Sequence, residues 1–227
     1  MVYVTGDLHG EYARFSAPAV RRLKKDDTLI VCGDFGFLWK GGKKEETLLK
    51  KIGAKPYAVL FLDGRHENFD LLGAYPVTDW NGGRAQIISG RLVHLLRGEL
   101  YTLEGETYFT FGGGESPDRE LRAAAGTWWE EEMPTPAEMR HGLETLIGAG
   151  KKVNYILTHE PSGKCRGLME SREARLDGLN VYFNQLEEYV DYDRWFFGCQ
   201  HLDKPLSRRH RAVFRDVVPV RESPKRR

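Results

Sequence analysis

Apolar residues fall along this chain in two rhythms. Short continuous runs, "VYVTG" at 2–6, "DTLIVCG" at 27–33 and "YAVLFLDG" at 57–64, each close on a glycine and predict strands buried on both faces. Between them, "EYARFSAPAVRRLKK" at 11–25 and "KKEETLLKKIGA" at 43–54 carry helical spacing. Pro18 must kink or divide the first, and Gly53 sits near the stop of the second. Strand, helix, strand, helix, strand in that order predicts a parallel layer with crossover helices.

The middle changes character. "RAQIISGRLVHLLRGELYTLEGETYFTFGGG" at 84–114 reads as short strands separated by glycine turns, as in one antiparallel meander. A helix follows in "TPAEMRHGLETLIGAG", with Thr135 as its cap. A strand in "KVNYILTHEPSG" then breaks at His159. "VYFNQLEEYVDY" is helical, "RWFFGCQH" is a strand ending at Gly198, and "HRAVFRDVVPV" is a last strand. The chain is therefore mixed α/β, and one compact sandwich of two sheets with helices outside accounts for it better than two domains. A single domain over 1–220 is expected, followed by a basic, disordered tail at 221–227.

Composition changes this picture little. Lys and Arg number 34 against 33 Asp and Glu, so the formal charge is +1, which disfavours extended nucleic-acid or membrane-surface binding. No run of about twenty apolar residues predicts a transmembrane helix. The N-terminus lacks the zones of a signal peptide. Three cysteines, Cys32, Cys165 and Cys199, show no pairing pattern, and a reducing cytoplasm is the plain expectation.

Chemistry gathers where the strands stop. Five strand ends open into "GDLHG", "GDFG", "DGRHEN", "THEP" and "GCQHLD", which carry Asp7, His9, Asp34, His66, His159 and His201. Loops after the C-terminal ends of parallel strands are where α/β proteins collect their sites. Carboxylate and imidazole together suit Mn²⁺, Fe or Zn²⁺. A lone Asp is more often a helix cap and a lone His a structural residue; five such loops in series outweigh that reading. "FGGGES" at 111–116 lacks the Lys-Ser/Thr of a P-loop and reads as a strand-to-helix turn. Trp128 and Trp129 read as packing residues, His94, His141 and His210 as structural or surface ones, and Asp118 with Arg122 as a helical ion pair.

In this order the five motifs resemble the calcineurin-like metallophosphoesterases, whose signature is Asp-x-His, Gly-Asp, Gly-Asn-His-Glu/Asp, a lone His and Gly-His-x-His. The resemblance spans Val2 to about Pro219 and looks most like bacterial members. It implies a four-layer α/β/β/α sandwich of two mixed β-sheets flanked by helices. It also implies two metal ions that share an aspartate and hold the attacking water or hydroxide. Carried over, Asp7, His9, Asp34 and His201 hold the first ion. Of the second ion's ligands only Asp34 and His159 remain, because Arg65 replaces the Asn and Cys199 replaces a His.

Arginine carries no acceptor and stays protonated, so it cannot ligate a metal, but its fork matches phosphate. The resemblance therefore implies a phosphomonoesterase or phosphodiesterase with one divalent ion, Mn²⁺ first and Fe or Zn²⁺ as alternatives, and argues against a second ion. Arg65 and His159 would bind the phosphoryl oxygens, and His66 would be the general acid. Glu67 either orients His66 or serves as a loop or capping acid. Cys199 is either a thiolate ligand of a distorted second site or a small buried residue. Asn68 and Gln200 are polar neighbours with little to set them above solvent exposure. The expected partner is a small phosphoester. The opposing expectation is a fold that has lost catalysis and serves as a phosphate-binding or protein-interaction module.

Overall fold

The computed structural model of this chain describes residues 1–169 and 176–221, so from residue 222 onward the expected basic tail lies outside the described residues. In chain order the strands begin with β1 (Val2–Thr5), β2 (Thr28–Val31), β3 (Ala58–Phe61), β4 (Val77–Trp80), β5 (Gly83–Ser89), β6 (Leu92–Leu95) and β7 (Glu99–Leu103). They continue with β8 (Glu106–Phe111), β9 (Lys152–Thr158), β10 (Asp191–Phe197), β11 (Lys204–Pro205), β12 (His210–Ala212) and β13 (Val218–Pro219). The helices are α1 (Pro18–Arg21), α2 (Lys43–Gly53), α3 (Phe69–Gly73), α4 (Arg119–Ala124), α5 (Pro136–Gly148), α6 (Gly163–Met169) and α7 (Gly178–Tyr189). No helix among the described residues is long and apolar enough to cross a membrane.

Two mixed sheets result. The first runs β13-β1-β2-β3-β6-β5-β4 and the second β11-β12-β10-β9-β8-β7. In the first, β1, β2, β3 and β6 lie parallel; in the second, β8, β9, β10 and β12 do. Alternation of side chains along each strand explains why the apolar runs are continuous. Ile30 and Leu60 point inward to a core shared with Tyr155, Leu157 and Phe196 of the other sheet. Their neighbours Leu29, Val31, Val59 and Phe61 point outward onto a layer containing Phe15, Leu49 and Ile52. On the far side, Ile156, Trp195 and Phe197 meet Leu146, Leu179, Phe183 and Leu186 of α5 and α7. Three apolar layers between four structural ones give the expected α/β/β/α sandwich.

Local expectations fare unevenly. Pro18 divides the first helical stretch into a 3₁₀ turn at Tyr12–Ser16 and α1, where it takes the first position that its fixed φ suits. Thr135 caps α5 in a reciprocal capping box with Glu138. The single meander is not formed: β5–β6 and β7–β8 are separate hairpins in different sheets, because the chain crosses the sandwich after Leu95. Nor is there one last strand. The Asp203 carboxylate accepts the backbone N–H groups of Phe214, Arg215 and Asp216, turning the chain so that β12 joins the second sheet and β13 the first.

Candidate active site

All five polar loops leave the C-terminal ends of parallel strands, β1, β2 and β3 from one sheet and β9 and β10 from the other. They meet where the two sheets' edges converge. The Asp7 N–H bonds to Gly33 O and the His9 N–H to Asp34 O, joining the first two loops. Cys199 N–H donates to Asp7 Oδ1 at 3.0 Å and ties the second sheet to the first. Asp7, His9, Asp34, Cys199 and His201 all hold positive φ, between 46° and 64°. A left-handed backbone costs a residue with a Cβ of order 1–3 kcal/mol, so its concentration here marks a site held against local preference. Gly33 and Gly64 are needed for close approach: a Cβ at either would meet His159 Nδ1 or Asp34 Oδ1 at 2.1 Å.

The first cluster is Asp7, His9, Asp34 and His201, whose ligand-type atoms all lie within 4.8 Å of one another. Both carboxylates are buried, whereas the imidazoles stand half-exposed at the surface end. Asp7 Oδ2 is buried without a hydrogen-bond partner among the described residues, and the Nε2 atoms of His9 and His201 converge to 2.9 Å. Burial first, then the neighbouring Asp34 charge, pushes the Asp7 carboxyl well above its ordinary range. Desolvation lowers His9 to about 4 and also lowers His201, so both rings present lone pairs at neutral pH. Two facing carboxylates, an unpaired buried oxygen and two converging neutral imidazoles fit a divalent cation.

Asp34 is the hinge between the two halves. Its Oδ1 accepts the backbone N–H groups of Arg65 and His66 at 2.8 and 2.9 Å, and its Oδ2 accepts from His66 Nδ1 at 2.8 Å. Burial alone would raise this carboxyl, but the facing His159 and the hydrogen bond from His66 outweigh it and hold it well below the carboxylate range.

The second half is closed. His159 is fully buried, its Nε2 lies 3.5 Å from Asp34 Oδ1, and that nitrogen makes no hydrogen bond among the described residues. Arg65 Nη1 lies 3.1 Å from the Glu115 carbonyl and 3.5 Å from Glu160 Oε1, and Cys199 Sγ donates to the same Glu160 oxygen at 3.0 Å. Burial, then Glu160, pushes the Cys199 thiol well above its ordinary range, against the partial opposition of Arg65. The protonated thiol fits the expectation of a small buried residue better than that of a thiolate ligand.

Several neighbouring side chains have definite duties, some of them expected and some not. Glu67 accepts from Phe35 N and Gly36 N at 2.6 and 3.2 Å, which makes it the loop acid, and Asp34 is the group that orients His66. Asn68 caps α3 and bonds Trp39 O. Arg122 does not pair with Asp118: it is buried against Glu132 at 2.7 Å, contacts Ser116 Oγ, and donates to Arg65 O at 2.9 Å. His94 is structural, buried between Gln86 and Asp63.

Two groups central to the geometry were missed from sequence. Glu160 follows His159 inside a recognised motif and could have been suspected from that adjacency alone. The Arg122–Glu132–Ser116 brace gives no such signal, since its members come from α4, a later turn and the loop before α4. A third set of ligand-type residues, Cys165, Glu187 and His210, lies on the outer face of the second sheet, where Glu187 already accepts from Ser162 Oγ at 2.6 Å.

Comparison with known proteins places this geometry. No curated protein matches the chain. Among solved structures, a protein of unknown function from Aquifex aeolicus aligns over 85% of this chain and 87% of its own, at 12% identity and a TM-score of 0.39. The phosphopantetheinyl hydrolase PptH from Mycobacterium tuberculosis aligns over 94% and 89%, at 15% identity and a TM-score of 0.41. The family model described as calcineurin-like phosphoesterase matches residues 1–203, a span that holds every loop of the site, and the chain belongs to that family.

Proposed function

We propose that this protein hydrolyses a phosphomonoester or phosphodiester using one divalent ion, with Arg65 standing where the family's second ion stands. Asp7, His9, Asp34 and His201 would hold that ion. The observation that carries this reading is the charge balance of the second half: the Arg65 guanidinium lies 3.5 Å from the buried Glu160 carboxylate. A cation built into the chain opposes entry of another. Two unit charges at about 4 Å repel by about 4 kcal/mol at an effective dielectric of about 20, and a divalent ion doubles that.

When bound, the ion supplies Lewis-acid charge to the phosphoryl group and lowers the pKa of the attacking water. The side chains do the rest. Arg65 offers parallel N–H donors to phosphoryl oxygens, and its bond to Glu115 O, with the Arg122 grip on its carbonyl, keeps the fork aimed. His159, whose Nε2 has no hydrogen-bond partner among the described residues, stands beside it. His66 donates its Nδ1–H to the Asp34 carboxylate, which fixes the ring and leaves Nε2 to serve the leaving oxygen. The near-neutral chain favours a small substrate over a long polyanion.

Elemental analysis after loading with Mn, Fe or Zn tests the reading. About one ion per chain, with phosphoester turnover that disappears on chelation, is expected. No bound ion under any loading would transfer the chain to the class of phosphate-binding or interaction modules.

A further inference from the structure

Two cavities flank the cluster, and they differ in chemistry. One, of about 840 Å³, is walled by Arg65, Arg119, Arg166, Asp118 and Glu120 and reaches Cys199 and His201. The other, of about 570 Å³, is walled by Phe37, Trp39 and Leu48, is also lined by Lys40, Lys44 and Glu45, and reaches His9 and His66. His9 and His201, one from each cavity, touch at 2.9 Å, so the cluster forms the ridge between them. Of these two cavities, His66 lines the apolar one.

From this arrangement we propose that the Phe37–Trp39–Leu48 cavity receives the alcohol half of the substrate, and that this alcohol is aromatic or otherwise flat and apolar. The inference rests on the general-acid reading of His66 given above. An acid that protonates the leaving oxygen must stand within hydrogen-bond reach of it, so the rest of the leaving group must extend into the space that His66 borders. That space is of ordinary small-molecule size, about 300–1,000 Å³, and mostly apolar. The charged cavity opposite offers a desolvation cost to the same group.

The wall is also pre-formed. Both oxygens of Glu45 accept backbone N–H groups, from Trp39 at 2.8 Å and Lys40 at 2.9 Å, and Asn68 Nδ2 donates to Trp39 O at 2.9 Å. The Trp39 ring packs edge-on against Trp129, 5.8 Å between centroids, and Trp129 is itself held by Asp70. A flat ring therefore meets a fixed aromatic edge rather than a loop that must first be ordered.

Binding of non-hydrolysable probes, by calorimetry on Mn²⁺-loaded protein, separates this inference from the reading beneath it. Phenylphosphonate should bind about 10-fold more tightly than methylphosphonate. That advantage should fall below about 3-fold in Trp39→Ala, which removes the wall, and in Leu48→Trp, which fills the cavity. Equal affinity for the two phosphonates in the unaltered protein, or a phenyl advantage that survives both substitutions, would overturn the apolar leaving-group site while phosphate binding stands. If neither phosphonate nor inorganic phosphate binds at all, the phosphate-binding reading fails and the leaving-group site falls with it.

Discussion

The two halves of the site share Asp34 and differ in the source of their positive charge. Around Asp7, His9 and His201 the carboxylates are buried, the imidazoles neutral, and one carboxylate oxygen unpaired among the described residues. Around His159, Glu160 and Cys199 the negative charge is met by Arg65 from the same chain. One half is electrically unfinished and invites a cation; the other carries its own. Burial by itself would lower the Arg65 pKa, but the facing carboxylates, Glu160 first, outweigh it and raise it, and arginine stays protonated in any case, so the guanidinium is a permanent charge.

The strongest way to break this comparison is to remove the residue the halves share. Asp34→Ala should lower turnover by about 10³-fold and leave less than about one ion per chain, because it holds both the cation and the His66 and Arg65 loop. Retained metal with full activity would dissolve the division into halves.

A sharper cut spares the first half. Arg65→Ala should cost about 10²–10³-fold in turnover without loss of the ion, and Arg65→Lys should not restore it, since an ammonium cannot form the fork. Adding Glu160→Gln to Arg65→Ala should recover thermal stability but not turnover, separating Arg65's service to Glu160 from its service to phosphate. The reverse construction, Arg65→Asn with Cys199→His, should raise the bound metal from about one to about two ions per chain. A double variant that still binds a single ion would show that the second position is closed for another reason.

Next in size is His66→Gln. On poor leaving groups turnover should fall about 10²-fold, and on an activated aryl ester by much less, because only the former need the proton. An equal loss on both would assign His66 a purely structural role.

The smallest effect concerns pH. Asp7 has a raised pKa, so protons compete with metal at this carboxyl to a higher pH than an ordinary Asp would allow. His9, lowered to about 4, adds competition only in stronger acid. Metal affinity should therefore rise with pH through the Asp7 titration, by at most about tenfold per unit, and level off above it. In Asp7→Asn that part of the slope should vanish; titrations of Mn²⁺ from pH 4.5 to about 8 would reveal it.

Much of this was legible in the chain. The strands at 2–5, 28–31 and 58–61 are continuous apolar runs because both faces are covered, and such runs need no partner to be recognised. The metal-type residues were legible too, because each sits within a few residues of a strand end, and the proximity is local in sequence. Arg122 was misread for the complementary reason. Its spacing from Asp118 is helical, yet at that short helix the side chain turns inward to Glu132 and Arg65 O, contacts that no local rule anticipates.

What the sequence determined alone was therefore the strand-ending loops, their donor atoms and the two substitutions at the second position. The sandwich decided which of those donors meet, that Glu160 is buried opposite Arg65, that Asp34 rather than Glu67 holds His66, and that the ridge has one charged and one apolar flank. The physical reason is reach. Strand and cap signals act over a few residues, whereas desolvation and charge pairing depend on neighbours such as Asp7 and Cys199, 192 positions apart, which only the packing of two sheets brings to 3.0 Å.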